Sequence, residues 1–380
     1  MLQTPLEIAF HNCQPSEAVE NGADHSMRIL MTGHLGYIGT AAVPMFQARG
    51  HEVVGLDTDL YRDCTFGPEV GPAAAIENLG IDIRDATPDH LAGIDAVVHL
   101  AGLSNDPLGD LDPALTRQLN TDAAVSLGLA AKLAGVPRFL FSSSCSNYGA
   151  AGQDFIAEDA EFRPVTPYGR SKAAAERELA ALADERFSPV LMRSSTAFGV
   201  SPRLRFDLVV NNLTAWAVST GDIYLKSDGS PWRAIVHIED IARAFLAVCE
   251  APREKVHMEA FNVGATSENY RVIEIARLVE EVVPGTRIRF APNAGPDPRC
   301  YRVNCDKLAR TLPDARARWT PRQGVEQLRE AFRGRGGVRV EDFEGPRFQR
   351  VAHVRSLVAA NLLTPALRWA EAEGCQSRVA

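Results

Sequence analysis

The feature that most restricts what this chain can become is a short apolar run, Met27-Arg-Ile-Leu-Met-Thr32, that passes directly into Gly33-His-Leu-Gly-Tyr-Ile-Gly39 and then into helix-forming residues. A strand, a turn with glycines at 33, 36 and 39, and a helix, in that order, form the opening unit of a doubly wound sheet. Gly33 permits the tight turn, Gly36 lets an anion approach the backbone, and Gly39 lets the helix pack closely on the strand. The free N–H groups at the helix start then face a phosphate.

The same alternation runs on. Apolar runs EVVGLD (52–57), AVVHLAG (96–102), RFLFSSS (138–144) and SPVLMRSS (188–195) are separated by helix-like stretches. Among these are Gly39 to Arg49 and Asn120 to Ala134, the latter stopped by Gly135-Val-Pro137. With the first run this gives five strands, the pattern of an α/β, Rossmann-type doubly wound parallel sheet covered on both faces. Beyond residue 196 the alternation breaks, and Pro202, Pro231, Pro252, Pro284 and Pro292 punctuate shorter elements. The expected organisation is a poorly ordered tail over 1–26, or an over-extended start before Met27, then a nucleotide-binding domain over 27–195. A smaller C-terminal substrate-binding lobe is expected over 196–231 and 264–350, while 232–263 rejoins the main sheet through the strand and helix read in WRAIVHIEDIARAFLAVCEAP (232–252), and 351–380 is expected as a helical extension.

Composition narrows the partners. The 380 residues are 46% hydrophobic, enough for a full core with an added lobe. A net charge of −8 without a Lys/Arg-rich block argues against nucleic acid as a partner. Seven cysteines, an odd number without CxxC pairs, read as free thiols of a reducing compartment and offer no metal-site spacing. No apolar run approaches the ~18 residues of a membrane helix, and the polar N-terminus lacks a signal-peptide core. No membrane partner is expected, and the expected location is cytoplasmic.

Asp57 indicates which phosphate-bearing ligand the turn takes. It ends the second run 24 positions after Gly33, near the ~20-residue offset at which a carboxylate accepts hydrogen bonds from a ribose diol. The same carboxylate would repel a 2′-phosphate, which favours NAD over NADP. The expected cofactor contacts are Gly33, Gly36, Tyr37, Ile38 and Gly39 in the turn and Asp57 at the ribose. Asp82 and Ile83 are expected to end a third strand beside the adenine, and Leu100, Ala101 and Gly102 to pass under the cofactor.

Tyr168-Gly-Arg-Ser-Lys172 puts a phenol and an amine four residues apart, on one face of a helix. Thr166 suits the cap of that helix and Pro167 its first turn. For a tyrosine to serve as general base its pKa must fall from about 10 to about 7, roughly 4 kcal/mol. An ammonium about 5 Å away at an effective dielectric of 20 supplies ~3 kcal/mol, and the helix dipole adds ~0.3–1 kcal/mol. The run Ser142-Ser143-Ser144 ends the preceding strand where sheet ligands bind, so a serine there can hold the reacting oxygen while the phenolate takes its proton.

Together, TGHLGYIG (32–39), HLAG (99–102), FSSSCSNYG (141–149), YGRSK (168–172) and RAIVHIEDIARA (233–244) resemble the extended short-chain dehydrogenase/reductases. The specific resemblance is to their NAD-dependent sugar-nucleotide epimerase/dehydratase group, over roughly Met27 to Leu312. It implies Ser144, Tyr168 and Lys172 as the catalytic set, acting on a nucleotide-diphosphate sugar whose hydroxyl is oxidised by hydride transfer to NAD⁺ and then re-reduced. It implies that Asn120 supports the lysine network, that Asn212 and Leu213 meet the diphosphate and that Arg233 holds a phosphate. Arg299 and Tyr301, in DPRCYRVNCDK (297–307), are similar to the late segment that touches the nucleotide, and Ser104 and Ser146 complete the implied substrate contacts. By the same resemblance the protein is expected to be a homodimer joined through the helices near 120–134 and 168–183.

Departures from the family pattern narrow the chemistry. Its 4,6-dehydratases carry Asp-Glu directly after the catalytic hydroxyl residue, where this chain has Cys145-Ser146, and the glutamate common in its decarboxylases is missing. An epimerase, most simply a 4-epimerase, needs neither. A dehydratase, decarboxylase or one-way dehydrogenase remains the alternative within the family, and a non-catalytic NAD-binding sensor or scaffold the alternative outside it. Cys145 reads as a small buried residue, the alternative being a thiol that exchanges a proton at a carbon beside a ketone; His99 and His237 read as core histidines, and Arg203 and Arg205 either reach the substrate or are solvated.

Overall fold

The computed structural model describes residues 26–67, 70–104, 106, 112–295, 297 and 299–370. Apart from Ser26, the expected N-terminal tail lies outside the described residues, as do positions 371–380 of the expected extension.

Six parallel strands form the main sheet. They are β1 (Arg28–Thr32), β2 (Glu52–Leu56), β3 (Ala96–His99), β4 (Arg138–Ser144), β6 (Ser188–Ser194) and β10 (Ala260–Val263), in the order β10-β6-β4-β3-β1-β2. The strand residues alternate between two cores. Ile29, Met31, Val98 and Leu140 face α1 (Gly39–Ala48) and α5 (Ile238–Glu250), where Val43, Phe46, Ile241 and Phe245 meet them. Leu30, Val97, Phe139 and Phe141 face α2 (Ala123–Leu133) and α3 (Pro167–Ala180), against Leu127, Ala131 and Leu179. Burial on both faces explains why these strands read as continuous apolar runs, and each fully buried aliphatic or aromatic side chain contributes about 1.5–3 kcal/mol.

Two expectations need correction. The strand expected to end at Asp82-Ile83 does not form. Asn78 makes a single bridge to Gly55 and turns its side chain onto the Asp57 backbone, accepting from Asp57 N and donating to Asp57 O at 3.1 Å, and a short 3₁₀ turn follows at Ile83–Asp85. The run at 232–237 is a strand, β9 (Trp232–His237), but it does not enter the main sheet; β10 does, while α5 covers that sheet's face. β9 instead lies between β7 (Thr196–Phe198) and β11 (Asn269–Arg271).

The rest of the second lobe packs α4 (Val209–Thr220), α6 (Val272–Val282) and α7 (Pro321–Arg333) around Phe198, Phe206, Ile275 and Phe332. Two strand pairs flank it. β8 (Asp222–Ser227) pairs with β12 (Arg287–Gly295), and β5 (Ala150–Ile156) with β13 (Cys300–Val303). A last helix, α8 (Arg350–Ala359), buries Val354 and Leu357 against Leu103 and Leu119.

Candidate active site

The glycine turn opens at the carboxyl end of β1. Gly33 has φ +71°, and a Cβ there would sit 2.8 Å from Ala101 N, so the turn and the Leu100–Gly102 backbone are pressed together. Gly39 begins α1 so close to the turn that a Cβ would lie 2.4 Å from Gly33 O. Asp57, one residue beyond β2, accepts from Leu35 N at 3.1 Å and from Asp59 N at 2.8 Å. Burial pushes its carboxyl up from the ordinary value, and those two backbone donors pull against it. A cradle closed to any side chain, with a carboxylate at the end of the second strand, fits a dinucleotide with a free ribose diol. Tyr37 is an exception within the turn, for its phenol donates to Gly199 O at 2.7 Å and serves the second lobe.

The residues expected to handle the proton lie at the end of β4 and the start of α3. Thr166 caps α3 as expected, its hydroxyl accepting from Gly169 N at 3.1 Å, and it also donates to Asp106. Ser144 and Tyr168 line the same cavity. Burial pushes Tyr168 up to about 12, outweighing the lowering by Ser144 and by the nearby charge of Arg205. Among the protein groups alone, burial thus outweighs the lowering expected from Lys172. Its ammonium donates to Ser142 O at 2.8 Å, and burial, partly offset by Glu176, lowers Lys172 itself to about 8. An ammonium has three donors, so others remain for ribose hydroxyls. Asn120 donates to Leu103 O and Ser171 Oγ, linking the backbone beyond β3 to the residue next to the lysine.

Beneath these groups Glu176, two turns beyond Tyr168, forms a buried pair with Arg193 at 2.8 Å and accepts from Ser143 and Asn147. This network fixes the serine run against α3. Cys145 is fully buried, its thiol directed at Arg193 O (3.2 Å) and pushed up to about 12 by burial, so it is a packing residue. His99 bonds Thr32 and His237 caps α5, both as core residues.

A cavity of about 610 Å³ runs from Ile38, Leu100 and Gly102 past Ser144, Tyr168 and Lys172 to Tyr224, Lys226 and Val272. Ser104, Ser146, Asn212, Leu213, Arg233, Arg299 and Tyr301 all line it. Arg205 also lines it, donating to Ser104, whereas Arg203 is only 1% exposed and pairs with Asp59 at 2.8 Å. Neither is solvated. Asn212 turns its amide toward Phe206 O and Glu344. Asp82, expected at the adenine, caps its 3₁₀ turn and is held by Arg84 at 2.6 Å.

Three wall residues were not foreseen. Asp106 pairs with Arg299 (2.5 Å), Asp207 with Arg205 (2.7 Å), and Asp297 with both Arg233 (2.7 Å) and Arg299 (2.5 Å). The DPR and RFD triplets, each a carboxylate two positions from an arginine, were the available signal for the last two. Asp106 had none, because its partner is 193 positions away.

The sequence profile described as "NAD dependent epimerase/dehydratase family" matches residues 29–264. The UDP-glucose 4-epimerase of Bacillus subtilis (strain 168) is 27% identical over 327 residues, covering 80% of this chain and 94% of that protein. The UDP-glucuronic acid decarboxylase 1 of Arabidopsis thaliana is 25% identical, over 81% and 70%. The solved structure of MoeE5 in complex with UDP-glucose and NAD is 27% identical with a TM-score of 0.68, covering 82% of this chain and 100% of that one. With its Rossmann-type sheet and NAD as cofactor, the chain belongs to the NAD-dependent epimerase/dehydratase family of enzymes.

Proposed function

We propose that the protein is a sugar-nucleotide epimerase, most simply a 4-epimerase. The carrying observation is that every carboxylate lining the cavity among the described residues, Asp106, Asp207 and Asp297, is paired with an arginine. Elimination of water or loss of a carboxyl group asks for further acid–base groups beside the sugar. Here Ser144 and Tyr168 supply the proton chemistry, which inversion through a ketone requires and which suffices for it.

The chemistry supplied by NAD when bound is acceptance of a hydride from the sugar carbon and its return. Once the positive nicotinamide ring lies beside it and, with the Lys172 ammonium, offsets its burial, the Tyr168 phenolate would take the hydroxyl proton and give it back, while Ser144 holds the same oxygen and Lys172 fixes the ribose beside them. Arg233 and Arg299 hold the diphosphate, with Tyr301 beside it. The sugar is then free to turn between oxidation and reduction, which inverts the carbon.

Relatives that act on UDP-sugars make a UDP-sugar the first substrate to try. A panel of UDP, dTDP, GDP and CDP sugars in deuterated water, followed by NMR, tests the reading. Inversion at C4 without deuterium uptake is expected. Loss of water, release of carbon dioxide or stoichiometric NADH would overturn it in favour of another family reaction. The protein is also proposed to be a homodimer joined across α2 and α3, where Leu129 (45% exposed) and Leu133 (69%) form an apolar stripe one turn apart.

A further inference from the structure

The stretch from α8 to Trp369 takes no part in the chemistry above, yet it is bonded to the loops around the cofactor cleft. Trp369 Nε1 donates to Thr58 O at 2.6 Å, one residue beyond Asp57, and the Arg62 guanidinium lies 3.6 Å over the Trp369 ring. Arg368 bonds both oxygens of Asp85, at 2.5 and 2.9 Å. Arg84, which clamps Asp82, also donates to Ala366 O at 2.9 Å. His353 Nε2 lies 3.2 Å from Leu60 O, and Leu357 and Leu363 pack with Leu103 and Leu119.

One segment thus ties together three places: the loop 58–62, the turn 82–85, and the pair Leu103, just after β3, and Leu119, in the helical stretch leading into α2. The first and last continue from the carboxyl ends of β2 and β3, and the other is the turn that Asp82 caps. In a sheet of this kind the dinucleotide lies across those ends, and the carboxylate closing the second strand takes the adenosine ribose. The loops joined by the segment are therefore the ones that surround the adenosine half.

We infer that residues 350–369 form the outer wall of the adenosine subsite, with the Arg62–Trp369 stack as part of its face, so that NAD stays bound from one turnover to the next. A flat aromatic–guanidinium surface suits a purine, which stacks on either group. The inference rests on NAD as cofactor and is independent of which sugar reaction the enzyme performs.

The test uses the full chain loaded with NAD, passed through desalting columns at timed intervals and assayed for bound dinucleotide. An Arg368→Ala/Trp369→Ala double variant is expected to lose NAD at least about tenfold faster than the parent protein, and to regain full occupancy in excess NAD. Equal release rates overturn the wall. A parent protein that takes up no NAD would instead refute the cofactor assignment. Should the variant fail to fold, hydrogen exchange of the parent protein decides. NAD is expected to slow exchange across 350–369, and unchanged exchange there on a protein that has bound NAD overturns the inference.

Discussion

The guanidinium of Arg299 meets the carboxylate of Asp106 at 2.5 Å, and Asp106 in turn accepts from Thr166, the cap of the helix that carries Tyr168. An arginine of the cavity wall is thereby linked through two side chains to the start of the helix that carries Tyr168. Asp106→Asn keeps the size and removes the charge. Because the Arg299 side chain is 34% exposed, the loss is discounted for solvent screening to about 1–2 kcal/mol. Urea unfolding of the variant should show a lower midpoint with an unchanged slope.

Tyr168→Phe removes the group assigned to move the proton and little else. Turnover is expected to fall by about 10²–10⁴, while bound NAD and melting temperature remain those of the parent. A variant with undiminished turnover would end the role given to the phenol.

Lys172 carries a stability cost whose sign can be worked out. Burial lowers it from 10.5 to about 8, so between those values the unfolded chain binds more protons than the folded one and stability rises with pH. Below about 8 the full penalty applies, of order 3 kcal/mol. Lys172→Met should therefore be more stable than the parent near neutrality, should lack the rise in stability through that window, and should be inactive. Denaturant titrations at pH 7 and pH 10 would check it.

Arg233 faces the cavity and is held by Asp297 and the Arg299 carbonyl. If it grips the diphosphate in ground and transition states alike, Arg233→Ala should raise KM by about tenfold to a hundredfold with a much smaller change in kcat. Steady-state kinetics separate the two parameters. A loss confined to kcat would move Arg233 from binding to chemistry.

Charge placed on the apolar stripe of α2 should break the proposed dimer. Leu129→Glu/Leu133→Glu buries two carboxylates at such an interface, a cost of several kcal/mol, so light scattering should report a monomer where the parent is a dimer.

Much of this was readable from the chain. The places of the glycine turn, Asp57, Ser144 and Tyr168 in the fold declare themselves because each lies at a strand end or helix start whose local signals are strong, with Lys172 one turn further along α3: Gly33 at positive φ, Thr166 as cap, alternating cores on either side of β1. What stayed hidden depends on long-range pairing. β9 looks like a strand of the main sheet because apolar content is blind to which partner a strand takes, and only tertiary contacts send β10 there instead. The Asp82 turn fails as a strand because one asparagine side chain captures the neighbouring backbone. The direction of the Tyr168 shift was missed for a related reason, since desolvation depends on everything packed around the phenol while the YxxxK spacing shows only one neighbour.

The chain leaves the main sheet at the end of β6 and returns at β10, its immediate neighbour, before departing again at residue 264. No single cut can release the second lobe without also stripping the sheet of its outermost strand. Any exchange of this lobe must treat it as two inserts with separate joints, and keep β10 and α5 native between them.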